Sequence, residues 1–437
     1  MNTGPASHVV TDFGAVADGV TNNAWAIQRA IDACAADGGG QVVVPAGAFQ
    51  SGKIFLRSKV ELHLEAGATL LCSPHIEDIH GATATRGLQN GFLCAENAQD
   101  ISITGAGAVD GNGQSYIKER GEEIHVMNRA RPRTIVFMGC SRVNLTGITI
   151  RDGAEWTVWL CGCSDVVVDH VHLQNDFKIP NSDGFDIDHC QNVSITNSHI
   201  EAGDDAIALK TQRAFANYGA SENIRVSHCT LRSTSSAMVI GCEIASPVRH
   251  VVFDSCTIVS SHRGLSINHS HESDIEDVVF SNVTIQTQLF DDRWWGAGEP
   301  IYVKALPWTE RDTVGHIRNV RFENIEARSE NGVLVWGERP DRIQDISFTN
   351  IELTVDRWTK YPGGKLDLRP CPGAENGYHS GVVDHPTRAV ILHNAGNVTL
   401  RDFHVALGRG LADADRTPIE SDNVPGLALA GFSHRVL

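Results

Sequence analysis

Two short stretches hold carboxylates whose types and spacing could do chemistry. Asp183 stands in "PNSDGFDID" (residues 180–188). Asp204 and Asp205 stand side by side in "AGDDAIALK" (202–210), with Asp204 21 residues after Asp183. Carboxylates gathered at one place repel, which raises the proton affinity of one of them. A protonated acid beside an ionised base is the pair that glycoside cleavage needs: one group protonates the leaving oxygen and the other activates water. Any single aspartate is more often a turn-closing residue or a ligand of structural calcium. Three of them in two neighbouring segments favour the acid–base reading.

What would bring the two segments together is a repeat. A polar residue, then apolar–x–apolar, a bend, and apolar–x–apolar again recurs along the chain. It is seen as "RVNLTGITI" at Arg142, "DVVVDHVHL" at Asp165, "NVSITNSHI" at Asn192, "NIRVSHCTL" at Asn223, "HVVFDSCTI" at His250 and "DVVFSNVTI" at Asp277. Further copies are "NVRFENIEA" at Asn319, "DISFTNIEL" at Asp345 and "NVTLRDFHV" at Asn397, with a weaker one at Asp100. The regular intervals run from 23 to 31 residues, and two longer ones span 42 and 52. Each copy reads as two period-2 strands joined by a bend, and the interval suits one coil of a stacked solenoid. The expected fold is all-β, a right-handed single-stranded parallel β-helix forming one domain over residues 1–437.

Coils of such a solenoid stack about 4.8 Å apart. A spacing of 21 residues therefore puts Asp183 and Asp204 on neighbouring coils, and a lateral offset widens the pair towards the roughly 6.5–9.5 Å of inverting glycosidases. Adjacent Asp204 and Asp205 would face opposite sides of a regular strand. Both can serve one cleft only if the chain bends there, and Gly203 suits such a bend.

Other elements frame this core. "NNAWAIQRAIDACAAD" predicts an amphipathic helix with Trp25, Ile27, Ala30, Ile31 and Ala35 on its apolar stripe. Asn22 or Asn23 caps its start and the glycines from Gly38 stop it. It would cover the open end of the solenoid within an N-terminal cap of about 50 residues. The two long intervals predict inserted loops at about 286–317 and 357–395, the second containing the Gly- and Pro-rich stretch 361–382. Such insertions build a binding face, and they lean towards a closed pocket with exo action.

Composition narrows the partners. A net charge of −17 without a block of lysine or arginine argues against nucleic acid or an anionic membrane as partner. No run approaches the roughly 18 apolar residues of a membrane span. The first residues lack the pattern of a signal peptide, so the cytoplasm is expected, or secretion if a leader has been removed. Eleven cysteines without a CxxC pair predict reduced, buried thiols. Cys190, Cys229 and Cys256 read as ladder packing. Self-association stays open.

With "DFGAVADGVTNNAWAIQRAID" near the N-terminus, the motifs "NSD" (Asn181, Ser182, Asp183) and "GDDAIALK" resemble glycoside hydrolase family 28, the polygalacturonase family, over most of the chain. The resemblance implies inversion without a metal or other cofactor. It implies Asp204 as general acid and Asp183 and Asp205 as activators of water, with Asn181 and Lys210 near the substrate. Two family motifs are missing. Gly-His-Gly aligns with Ser235, Ser236 and Ala237, and Arg-Ile-Lys with Ser266, Ile267 and Asn268.

A sugar carboxylate buried without a cationic partner costs several kcal/mol. The expectation is therefore an oligo- or polysaccharide cut at a neutral sugar, with Asn268 meeting hydroxyls and Arg263 the one nearby cation able to compensate. A pectin hydrolase, acting on polygalacturonan or rhamnogalacturonan, is the second reading.

The remaining candidates carry alternatives of their own. Trp294 and Trp295 near Glu299 form a sugar-stacking platform or a buried loop anchor. Glu243, beside the missing histidine, contacts substrate or Asp204, or is a plain surface residue. His262, His269 and His271 suggest a metal only superficially, since no third ligand is apparent. Two rival classes remain: a β-helix lyase or epimerase, which needs a uronate and a basic residue as base, and a non-catalytic glycan-binding solenoid. The intact three-aspartate set favours the hydrolase.

Overall fold

A computed structural model describes residues 6–80, 87–373, 381–411, 415 and 417–437. The chain divides into two compact units, Met1–Gly203 and Asp204–Leu437. Each is built from parallel strands stacked coil upon coil, and the fold is an all-β parallel β-helix.

In the first unit three strands recur in each full coil. One series runs Gly91–Glu96, Arg133–Met138, Val158–Cys161 and Phe185–Asp188. A second runs Gln99–Gly105, Ser141–Thr146, Ser164–Asp169 and Gln191–Thr196, and a third includes Thr149–Arg151, His172–Gln174 and His199–Ala202. Each strand pairs in parallel with its counterpart one coil on, and like positions stack: Ile135 with Val158 and then Phe185, Val143 with Val166 and then Val193. These apolar columns are buried and form the interior. The alternate positions on the first series point outward.

The second unit repeats the scheme. Its outward-facing series is Ile207–Thr211, Ser236–Ile244, Arg263–His269, Ile301–Ala305, Val333–Gly337 and Val390–His393. The other two series merge into 13-residue strands at Ile275–Thr287, Ile317–Ser329 and Ile343–Val355. Phe253, Phe280, Phe322, Phe348 and Phe403 stack down the interior, with ring centroids 4.9–6.2 Å apart.

The polar starters of the repeat have a backbone reason. Arg142, Asp165, Asn192, Asn223, His250, Asp277, Asn319, Asp345 and Asn397 all adopt φ between 53° and 59°. Asn, Asp and His tolerate this left-handed region far better than branched residues. Arg142, the exception in type, lies across the carboxylate of Asp100 one coil earlier. A second corner forms a side-chain ladder. Asn282 donates to Asp254 (2.7 Å), Asn324 to Asn282 (3.0 Å) and Asn350 to Asn324 (2.9 Å).

The expected helix spans Ala24–Ala36 and packs against the first strands of its unit. Asn22 accepts the N–H of Ala24, while the side chain of Asn23 turns away to Val16 and Gln50. Its buried stripe is Ala26, Ile27, Ala30, Ile31 and Cys34. Trp25, expected on that stripe, is 70% exposed: it falls outside the buried face, and its ring takes the Arg29 guanidinium at 4.4 Å instead. Ala35 lies beside the stripe and is half-buried. All eleven cysteines are free thiols. Among the described residues no helix is long and apolar enough to cross a membrane.

The corner ladder yields a test. Asn324→Ala removes two ladder hydrogen bonds and places alanine at φ 56°, so unfolding free energy should fall by about 1–2 kcal/mol. Asn324→Gly should recover the backbone part of that loss. Urea titration of the three proteins checks it, and equal loss in both variants would refute the backbone explanation.

Candidate active site

Asp183 closes the last loop of the first unit, and backbone and side-chain bonds fix that loop. The carbonyl of Asp183 accepts the N–H of Thr157 (3.0 Å), and the carbonyl of Gly184 accepts that of Val158 (3.0 Å). The buried Asn175 amide donates to Thr157 Oγ1 (2.7 Å) and to the carbonyl of Ser182 (2.9 Å). Ser182 Oγ donates back to the carbonyl of Ile179 (2.8 Å). Asp183 itself is buried.

Asn181, at φ 59°, stays exposed, and Arg131 grips this corner by donating to Asn181 Oδ1 and to the carbonyl of Ala154. Sequence reasoning missed both Arg131 and Asn175. No local pattern marks either, since their roles come from contacts with distant loop carbonyls and side chains.

Gly203 packs against the underside of this loop. A Cβ there would lie 2.4 Å from the carbonyl oxygen of Asp176, 2.5 Å from Ser182 Oγ and 2.6 Å from the carbonyl oxygen of Ile179. Its role is therefore close approach as much as bending.

On the strand that follows Asp183, Phe185 and Ile187 turn inward while Asp186 and Asp188 take the outward positions, both buried. The indole N–H of Trp159 donates to Asp188 Oδ2 (3.3 Å). The alternation in "FDID" is the signal that could have marked these two carboxylates. Beside them Arg133 is stacked on the Trp156 and Trp159 rings at 4.5 and 4.4 Å and paired with Glu155.

The second unit opens with Asp204 and Asp205. Both lie in the bend ahead of the strand Ile207–Thr211, so strand alternation does not force them to opposite faces. Both are half-buried. The backbone N–H of Ser236 donates to Asp205 Oδ1 (3.0 Å), and Ser233 Oγ donates to the carbonyl of Asp204. At the position where the family's histidine is missing, the main chain of Ser236 therefore holds Asp205. Lys210 follows on the same strand, outward between the inward-facing Leu209 and Thr211, and is buried. Glu243 sits partly exposed in a bulge, with pairing shifted between Leu209 and Thr211.

The other expected substrate contacts have structural partners instead. Arg263 is wholly buried. It pairs with Glu299 (3.3 Å) and Asp367 (3.4 Å), donates to the carbonyl of Asp367 (2.7 Å), and lies 3.8 Å from the centre of the Tyr302 ring. Burial raises the Glu299 carboxyl above its usual range. For Asp367 burial acts upward as well, but Arg263 and Arg369 hold it at about 2. Trp294 is a buried anchor whose carbonyl accepts from Arg369 (2.8 Å), and Trp295 keeps partial exposure near the same guanidinium. The Asn268 amide donates to the carbonyl of Arg369 (3.1 Å). His262 and His269 are fully buried, and burial pushes both rings down to about 3, so they are neutral.

These contacts have one cause. Residues 365–371, in the second long insertion, fold over the outward face of the strands at Arg263–His269, Ile301–Ala305 and Val333–Gly337. Leu366, Leu368 and Cys371 pack there with Tyr302, Leu334 and Ile391. The hairpin of Lys365–Asp367 with Val382–Asp384 supports the segment. Residues 374–380 of the expected 357–395 loop lie outside the described residues.

The profile of "Glycosyl hydrolases family 28" matches residues 34–361. The chain belongs to that family. A probable polygalacturonase of Vitis vinifera is 25% identical over 313 residues, covering 66% of this chain and 62% of that protein. An exo-poly-alpha-D-galacturonosidase of Dickeya chrysanthemi is 25% identical over 308 residues, covering 59% of this chain and 51% of that protein. The match thus spans between half and two thirds of the length of these curated relatives. Among solved structures, the Yersinia enterocolitica family 28 exopolygalacturonase superposes with a TM-score of 0.73 at 19% identity, over 97% of this chain and 78% of that one. The likeness is one of fold.

In this family 28 chain the packing at Gly203 gives a direct test. Gly203→Ala forces the 176–182 loop to shift, an overpacking cost of about 1–3 kcal/mol. Thermal melting should show that loss, and an unchanged melting temperature would mean the loop yields freely.

Proposed function

We propose that this chain is an inverting, exo-acting hydrolase of galacturonosyl linkages in pectic oligosaccharides. The chemistry rests on the family and its two motifs. Asp204 protonates the departing glycosidic oxygen, while Asp183 and Asp205 draw the proton from water as it attacks the anomeric carbon from the opposite face. The bond from anomeric carbon to leaving oxygen breaks as the bond from that carbon to water forms, and the configuration inverts. The N–H of Ser236 fixes one oxygen of Asp205 and leaves the other for water.

The observation that carries exo action is the segment 365–371. It fills the outward face from Ser266 to Leu334, a stretch along which a polymer threading through an open cleft would run. The Dickeya relative, an exo-poly-alpha-D-galacturonosidase by name, supports the same choice.

The neutral-sugar expectation rested on the loss of cations at Ser266 and Asn268. That premise weakens, because Arg263 begins the same strand, Lys304 stands in register with Asn268 on the next one, and Arg369 lies against Asn268. The pectic reading takes its place.

Product analysis on oligogalacturonides tests both halves. A single sugar should be the first and only early product, and Asp204→Asn should lower the rate about 10³-fold. A ladder of oligomers at early times would sink exo action. Cleavage of neutral oligosaccharides alone would sink the choice of substrate.

A further inference from the structure

Lys304 occupies an unusual place. It stands in register beside Asn268 on the next strand, with Ser266 beside Tyr302, and it is wholly buried. Its Nζ donates to Ser270 Oγ (3.2 Å) and to the carbonyls of Leu368 (3.3 Å) and Pro370. All three acceptors are neutral oxygens, and among the described residues no carboxylate pairs with it. Burial pushes its ammonium down to about 8, which leaves it charged at neutral pH. A buried ammonium satisfied only by neutral oxygens is an ion without its full counter-charge.

The surroundings add to the excess. Arg263 and Arg369 share the same layer and meet two carboxylates there, Asp367 and Glu299. With Lys304 the layer holds three cations against two anions, and burial raises Glu299 further towards its neutral form. Tyr302 and His262 contribute no charge, since burial keeps the phenol protonated and the imidazole neutral.

Ser266 and Asn268 form the wall in front of this layer. Beyond them lie Val239 and Gly241, in register with Ser266 and Asn268. Beyond those lies the strand that Asp204 and Asp205 precede. From the Lys304 strand to the Asp205 strand is three strand spacings, about 14 Å.

We propose that Lys304, with the surplus charge of the Arg263–Arg369 layer, selects an anionic sugar at the position over Val239 and Gly241, acting through the Ser266–Asn268 wall without touching the substrate. The inference rests on the pectic reading above and supplies its missing specificity element. Asp367 supplies part of the counter-charge to Lys304 without bonding to it, and the uronate carboxylate would complete it. A unit charge about 10 Å from another, at an effective dielectric near 20, shifts an equilibrium by roughly tenfold. The effect belongs in affinity for the acid form of the sugar, with little change for its neutral ester.

Calorimetric binding of trigalacturonate and of its trimethyl ester to the catalytically disabled Asp204→Asn protein, with and without Lys304→Met, tests this. The parent should prefer the acid. Lys304→Met should weaken acid binding by about tenfold and ester binding by less than twofold. Equal weakening of both ligands would reduce Lys304 to an anchor of the 365–371 segment and overturn the proposal, as would no change in either. Should the double variant fail to fold, Lys304→Gln, which removes the charge but keeps a donor for the carbonyls of Leu368 and Pro370, takes its place with the same expected and overturning results. If the parent shows the acid preference while the wild type hydrolyses no galacturonide, the selection stands and the hydrolase reading falls. If neither ligand binds, the selection falls.

Discussion

In-register parallel stacking is the constraint from which the rest of the structure follows. Within each unit the main chain of a coil finds its hydrogen bonds in the coils before and after it. A position that faces inward in one coil therefore faces inward in the next. Columns such as Ile135–Val158–Phe185 and Leu265–Ile301 are committed to the interior before any function is considered. Chemistry is left with the outward columns and the bends. Asp186, Asp188 and Lys210 occupy outward positions, while Asp183, Asp204 and Asp205 stand in bends, where backbone direction is free to differ from strand alternation.

The same constraint explains how the outward face can be remodelled cheaply. An insertion between strands leaves the stacking untouched, because the strands on either side still pair as before. Residues 288–300 and 356–389 do this. Among the described residues, the segment 365–371 of the second insertion covers the outward face. The mutual attachment of the two insertions is ionic. Lys365 pairs with Asp292, Gly296 donates its N–H to Asp367 Oδ2 (2.7 Å), Arg369 donates to the carbonyl of Trp294 (2.8 Å), and Asp367 in turn meets Arg263 on the strand beneath. Removing one member of such a buried set strands its partner without water, at a cost of about 3–5 kcal/mol. The apolar contacts of Leu366 and Leu368 would hold the segment less specifically, since any apolar face of similar size would serve.

Much of this was legible in the sequence, for reasons that can be named. The repeat starters stood out because φ near 55° selects Asn, Asp and His at one corner of nearly every coil. The strands of the repeat stood out because they alternate buried and wetter positions; those of the outward-facing series, buried throughout, did not. The two aspartate motifs stood out because carboxylates beside a buried strand are costly without a use. The helix was legible in position but wrong in its stripe at Trp25, whose ring Arg29 covers from outside. Arg263, Glu299 and Trp294 read as substrate contacts because each is polar or aromatic near a cleft strand. Arg263 finds Asp367 about a hundred residues further on, Trp294 finds Arg369 some seventy further on, and Glu299 finds Arg263 36 residues back. No local pattern carries such pairings.

The same limit bears on how specificity is read from motifs. A cation missing at Ser266 or Asn268 removes a contact, but it does not remove the potential there. Potential at a site sums over every nearby charge, and buried charges are screened far less by salt than exposed ones. In a stacked fold the residue in register one coil on is only about 4.8 Å away, so a lost arginine or lysine can be offset by the next residue of the same column. Lys304 is that residue for Asn268. A motif comparison along one strand counts a loss. The column across strands keeps a charge one coil on, in Lys304 behind Asn268.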